Sequence, residues 1–211
     1  MRILASDLDP QQTYKLLTGV VVPRPIAWIS SQSLSGVLNL APFSAFTFVS
    51  NKPPMVGVNI GRKGTVMKDT GNNILATQEY VVHIADASLL AQLHESSEEF
   101  PPEVSEVEAL GLATTKSDFV SVPRLTAPPV AMECRLHRSI PFGETGSEFM
   151  VGEVLAFHIR DDLVHDYKID SVDLNPVCRL GGPNYALLGE VLTLRDIFQS
   201  TKTVVKTDNP T

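Results

Sequence analysis

The chain has 211 residues, 43% of them hydrophobic and 19% charged, with a formal net charge of -7. This length and apolar share provide for one substantial core and exclude a disordered chain, while the negative balance argues against a general nucleic-acid surface and still permits a local anion site. The two cysteines, Cys134 and Cys178, lie far apart and outside any CxxC arrangement, so a disulfide scaffold and a thiolate metal centre are not expected and each reads as a small buried hydrophobe.

The opening stretch, MRILASDLDPQQTY, mixes charge and polarity where a secretion signal would be continuously apolar. No segment has the apolar length of a bilayer-spanning helix. The expected location is therefore the cytoplasm, with no membrane or nucleic-acid partner. Asp9-Pro10 is a helix start, carrying Tyr14, Leu16 and Leu17 toward a stop at Gly19. Residues 20–22 (VVV) and 26–30 (IAWIS) favour strands, interrupted by Pro23-Arg24-Pro25.

A turn at residues 34–36 precedes VLNL, and FTFVS and MVGVNI add extended runs around Pro53-Pro54. Asp69 or Thr70 begins a short helix, YVVHI returns to a strand, and Asp86 caps a helix containing Leu89, Leu90 and Leu93. Residues 96–106 are acidic and contain Pro101-Pro102, which predicts a surface excursion. VAMECRLHRSI and EFMVGEVLAFHI, joined by PFGETGS, predict a long antiparallel hairpin. The pattern is mainly β, a barrel with short helices at its margins. The competing doubly wound parallel sheet lacks its repeated strand–helix–strand crossovers.

Two regions carry candidate chemistry. In PRPIAWISSQSLSGVLNLAPFSAF, residues 23–46, interruptions of a ladder at residues 30–31, Gly36 or residues 39–42 would leave backbone groups in need of partners. A planar heterocycle would satisfy them, with Trp28, Phe43 or Phe46 giving apolar contact; a barrel turn satisfied by the protein itself is the other reading. In GRKGTVMKDT, Arg62, Lys63 and Lys68 could neutralise a phosphate while Thr65, Thr70 and a helix start supply hydrogen bonds. A solvated connection would look the same. Neither GxGxxG, GxxxxGK[ST] nor a metal motif is present, which favours a phosphate-bearing flavin over ATP on a Walker loop, and no GxSxG supports a hydrolase.

Taken in order, YKLLTGVVVPRPIAWISS, LNLAPFSAF, KDTGNNI, FMVGEVLAFHIRD and RLGGPNYALLGE resemble the flavin reductase-like family of FMN-binding split barrels, over residues 14–190. The resemblance implies a single domain over residues 1–211, an FMN-binding split β-barrel, assembled as a homodimer with FMN sites near the subunit interface. It implies an oxidoreductase in which FMN receives hydride from NADH or NADPH and passes electrons to free flavin, a redox acceptor protein or a small molecule. A flavoredoxin-like electron carrier or a non-enzymatic FMN-binding protein is the alternative.

Carried over by matching segments, Ser30 and Ser31 lie near cofactor polar atoms, and Asn39, Leu40, Ala41 and Ser44 form the flavin-facing loop. Arg62, Lys63 and Lys68 are phosphate-side donors, with Thr65 and Thr70 as oxygen ligands. His158 faces the flavin or the nicotinamide entrance as the candidate catalytic group, with a satisfied core histidine as the alternative. Arg179 would stabilise an anionic group, and Tyr185 would border the ring or the dimer seam.

Overall fold

Asp9 accepts a hydrogen bond from the Gln12 backbone N–H at 2.7 Å, and the Gln12 side chain accepts from the Asp9 N–H at 3.0 Å. This reciprocal cap starts helix α1 (Pro10–Val20), as the sequence predicts. The structure, a computed structural model, describes residues 1–194; residues 195–211 of the expected single domain lie outside the described residues. Helix α1 does not stop at Gly19 but runs on to Val20, and residues 20–22 form no strand. The cause lies downstream. The Arg24 guanidinium donates to the carbonyls of Thr18 (2.6 Å) and Val21 (2.7 Å), satisfying the end of the helix where a ladder would otherwise be needed.

The main sheet consists of β1 (Ala27–Gln32), β2 (Leu38–Phe43), β3 (Phe46–Asn51), β4 (Pro54–Ile60), β5 (Glu79–Ile84), β6 (Val130–Phe142) and β7 (Ser147–Ile159). Its order is β2-β1-β5-β6-β7-β4-β3, antiparallel throughout. Strands β2 and β3 stand at opposite edges, yet only Ser44 and Ala45 separate them in the chain. Two residues span no more than about 10 Å between flanking strands. The sheet must therefore curl until its edges meet, and the result is the expected split barrel with its seam at residues 44–45.

The ladder between β1 and β2 is continuous. Ser30 pairs with Leu40, Ser31 with Asn39 and Trp28 with Pro42, so the interruptions expected at residues 30–31 and 39–42 are absent. Strand alternation then sends neighbouring side chains to opposite faces. Ala27, Ile29 and Phe43 enter the barrel interior with Val58, Ile60, Tyr80 and Met150. Ile26, Trp28 and Leu40 enter a second cluster on the outer face, covered by the helical segments that follow β5. In the interior a Cβ at Gly152 would collide with the Tyr80 hydroxyl, so this position on β7 must remain glycine for the tyrosine to fit.

Helix α2 (Asp69–Thr77) closes one end of the barrel, burying Ile74 in the interior cluster. After β5 come α3 (Leu90–Glu95) and α4 (Glu106–Ala109). The acidic stretch between them is less superficial than its composition predicts, because Ser96, Ser105 and Glu106 are buried. The Trp28 indole N–H donates to Ser96 Oγ at 2.8 Å, and the Leu40 backbone N–H donates to Glu106 Oε2 at 2.9 Å. Charge alone concealed these residues: each satisfies a polar group that the apolar strands cannot. Cys134 is buried as expected, while Cys178 is half-buried. Among the described residues no helix is long and apolar enough to cross a membrane.

Candidate functional site at the barrel seam

Lys68 takes an extended conformation (φ -63°, ψ 150°) and begins α2 without any side chain capping it. The N–H groups of the first turn are therefore left without a capping side chain, at the positive end of the helix dipole. Lys68 Nζ lies 5.5 Å from the centre of the Phe43 ring. Phe43 ends β2 directly before Ser44, so the helix start and its cation stand beside the seam.

Beneath this helix four polar side chains pair internally. Asn39 Nδ2 donates to Thr70 Oγ1 at 2.8 Å, and Asn73 Nδ2 donates to Ser31 Oγ at 3.2 Å. All four are buried. Their side chains fix α2 on β1 and β2, which leaves the backbone of the first turn as the group available to an anion. Ser30 faces the other side of the sheet and donates to the Pro123 carbonyl at 3.0 Å. Leu40 is fully buried in the outer cluster, whereas Ala41 packs on the interior one.

At the seam Ser44 Oγ accepts from Arg24 Nε at 3.2 Å. Arg24 also donates to the Leu180 carbonyl at 2.9 Å, joining α1, the seam and the C-terminal segment through one guanidinium. It was not among the expected site residues. The signal was present, because Arg24 is the sole charged residue between Lys15 and Lys52.

The phosphate-side candidates are spread over one hairpin. Arg62 donates to the Gly146 carbonyl at 2.8 Å and to the Thr65 carbonyl at 3.0 Å, tying this hairpin to the β6–β7 turn. Lys63 pairs with Glu99 at 2.6 Å, with both side chains largely exposed. The acidic excursion thus reaches the basic loop, then returns to grip β2: Ser105 Oγ donates to the Leu38 carbonyl at 2.7 Å, beside the Glu106–Leu40 contact. Burial pushes the Glu106 carboxyl above its usual range, the Leu40 N–H opposing this.

His158 stands in a different setting. Its Nε2 lies 2.6 Å from Glu133 Oε1 and 3.9 Å from Asp118 Oδ2. Glu133 is completely buried and accepts from the backbone N–H groups of Asp118, Phe119 and Val120 at 2.8, 2.6 and 3.2 Å. Burial raises its pKa, but the Asp118 and Phe119 N–H donors and His158 outweigh it, and the carboxyl sits below its usual range. The structure joins His158 to this loop anchor and not to the cluster around α2.

Arg179 and Tyr185 form a third group. The Arg179 guanidinium lies 4.5 Å from the Tyr185 ring centre, and the Tyr185 hydroxyl is 2.9 Å from His94 Nδ1. Because the backbone pairs Arg179 with Arg24, this group connects to Ser44 through Arg24.

The donor set at the seam suits a flavin phosphate: an uncapped helix start, the Lys68 ammonium and the nearby hairpin of Arg62 and Lys63. The Flavin reductase like domain matches residues 19–171. A protein of Halalkalibacterium halodurans is 40% identical over 200 residues, 92% of this chain and 95% of that protein. Among solved structures, nitrilotriacetate monooxygenase component B from Bacillus cereus aligns with a TM-score of 0.89 at 38% identity, covering 92% of this chain and 98% of that one. The Pseudomonas fluorescens 2-nitrobenzoate 2-nitroreductase NbaA aligns with a TM-score of 0.84 at 32% identity, covering 100% and 99%. With the family domain spanning most of the chain and the barrel closing at its seam, this protein belongs to the flavin reductase-like family.

Proposed function

We propose that the chain is an FMN-dependent oxidoreductase that draws hydride from NADH or NADPH and acts as a homodimer. The observation that carries this reading is the uncapped start of α2, with Lys68, placed beside the β2–β3 seam. The first-turn N–H groups and Lys68 would hold the phosphate, and Arg62 and Lys63 would add positive charge. Residues 41–44 would meet the ring system through backbone groups, since the Asn39 side chain is held by Thr70 and that of Leu40 is buried in the outer cluster. When bound, FMN supplies a reversible acceptor of hydride or of single electrons.

The chain's own residues position and polarise. Arg24 holds a permanent positive charge at Ser44, already oriented by three carbonyls, so no reorganisation is needed when negative charge develops nearby. The similarity to a monooxygenase component and to a nitroreductase supports redox chemistry. Free flavin or a redox protein would be the acceptor.

Apolar surface supports the homodimer. Phe48 is 81% exposed and Phe157 54%, both on a groove of about 500 Å³ that also includes Phe46, Pro54, Met132 and Val154. Helix α1 buries none of its residues, leaving Tyr14 and Leu17 exposed. Apolar patches of this kind mark association surfaces.

The test is to load the protein with FMN, remove free cofactor, and follow the visible flavin absorbance anaerobically after separate NADH and NADPH additions. Retained flavin that bleaches with a nicotinamide is the expected result. Retained flavin that does not bleach would replace the enzyme reading with that of an electron carrier, and failure to bind FMN at any concentration would overturn both.

A further inference from the structure

We infer that the pocket between α3 and the C-terminal segment is a binding site for a planar aromatic carboxylate. This pocket is an open depression of about 520 Å³, a volume that accommodates a small organic ligand. Leu90, Ala91 and Pro183 give it apolar walls, and His94 and Tyr185 place polar groups among them. The His94 and Tyr185 rings meet edge to face at 5.7 Å between centres, with His94 Nδ1 and the tyrosine hydroxyl 2.9 Å apart.

Counting hydrogens defines what this pair offers. A neutral imidazole and a phenol together carry two polar hydrogens, and their mutual bond consumes one. If the hydroxyl donates to Nδ1, the Nε2–H is left over; if Nδ1–H donates, the hydroxyl hydrogen is left over. Either arrangement retains one donor for a ligand acceptor, and a protonated imidazole retains two.

Charge selects an anion. Arg179 lies 4.5 Å from the Tyr185 ring centre, and among the described residues no carboxylate lies within ion-pair distance of it. The acidic group close to the pocket, Asp86, is already engaged: it accepts from the Ser88 N–H at 3.0 Å and from Ser88 Oγ at 2.5 Å, and it faces Arg160 at 3.7 Å. A spare hydrogen-bond donor and an aromatic ring beside small apolar walls, with the Arg179 cation stacked on that ring although outside the lining residues, match a flat ring bearing a carboxylate. The backbone pairing of Arg179 with Arg24, and the Arg24 contact to Ser44, place this pocket next to the seam. A ligand there would be a second reactant; that role rests on the proposed flavin function, whereas the binding site rests on the pocket's own residues.

The probe is benzoate, titrated by calorimetry and by ligand-observed NMR into the full chain with and without FMN. Benzoate is expected to bind in the millimolar range or tighter. Cyclohexanecarboxylate and benzyl alcohol should each bind more weakly, because one lacks the flat ring and the other the charge. Arg179→Gln and the double variant His94→Phe, Tyr185→Phe, which removes both polar hydrogens, should each weaken benzoate by about tenfold, while Lys68→Met should leave it unchanged. Circular dichroism melts confirm that the variants fold. Absence of benzoate binding, wild-type binding by folded Arg179→Gln and by the folded double variant, or competitive displacement of benzoate by FMN would each overturn the inference. Benzoate binding without FMN binding would sustain the pocket and sink the flavin reading; FMN binding without benzoate would do the reverse.

Discussion

Glu133 and Glu106 are both buried glutamates, yet their surroundings move them in opposite directions. Glu133 receives three backbone N–H groups and a histidine, and its carboxyl titrates below the usual range. Glu106 receives the Leu40 N–H, and burial prevails, raising its pKa. Burial alone therefore does not decide the charge of a buried acid: the donors it receives and the charges beside it, Asp69 at Glu106 and His158 at Glu133, count as well. The same difference separates their tasks. Glu133 anchors a surface loop at three backbone N–H groups and holds His158 of β7, whereas Glu106 holds the edge strand that leads into the seam.

The largest effect should come from removing the better-served carboxylate. Glu133→Gln turns an amide N–H₂ toward backbone donors and leaves buried groups unpaired, and should cost about 3 kcal/mol in chemical denaturation. FMN affinity measured well below the unfolding midpoint should not change. Equal stability of this variant and the wild type would break the comparison.

A pH titration of stability sharpens it through a third buried group. His83 lies 3.0 Å from the Trp28 carbonyl through Nδ1, and its Nε2 accepts from the Leu125 N–H at 3.0 Å. Burial lowers its pKa from 6.5 to about 4, the Trp28 carbonyl opposing and Arg124 assisting. The unfolded chain then binds the proton first, so this contribution is complete above pH 6.5 and lost as pH falls to about 4. The loss amounts to about 3 kcal/mol. Over that range Glu106 acts in the opposite sense, because protonation relieves its buried charge. Glu133 adds to the loss as pH falls through and below the ordinary carboxylate range. A His83→Gln variant should show a flatter stability profile between pH 6.5 and 4.

Glu106→Ala should be milder, about 1–2 kcal/mol, from the unpaired Leu40 N–H. Because β2 leads into the seam, calorimetry should also show weaker FMN binding. Glu106→Gln retains an oxygen for Leu40 and should fall within about 1 kcal/mol of wild type. The smallest effect on stability should come from Lys68→Met, within about 0.5 kcal/mol at this surface site. Its consequence lies in the cofactor: FMN affinity should drop about tenfold and become less sensitive to salt. Unchanged affinity and salt dependence would remove Lys68 from the phosphate site.

Much of this protein was legible in the residues themselves. Asp9-Pro10 determined a helix start, β-favouring runs determined most of the strands and the long hairpin, and the order of segments identified the family. Period-two geometry already required Ser30 and Ser31 to face opposite ways. The tertiary structure alone decided their partners: Ser31 with Asn73, Asn39 with Thr70, Leu40 with Glu106, and His158 with Glu133. It also decided that residues 20–22 would end a helix, because the satisfying guanidinium arrives from Arg24. Helix caps and strand alternation act over a few residues, so they are written locally. Hydrogen-bond partners dozens of residues apart depend on register and on the closing of the barrel, which the whole chain determines together.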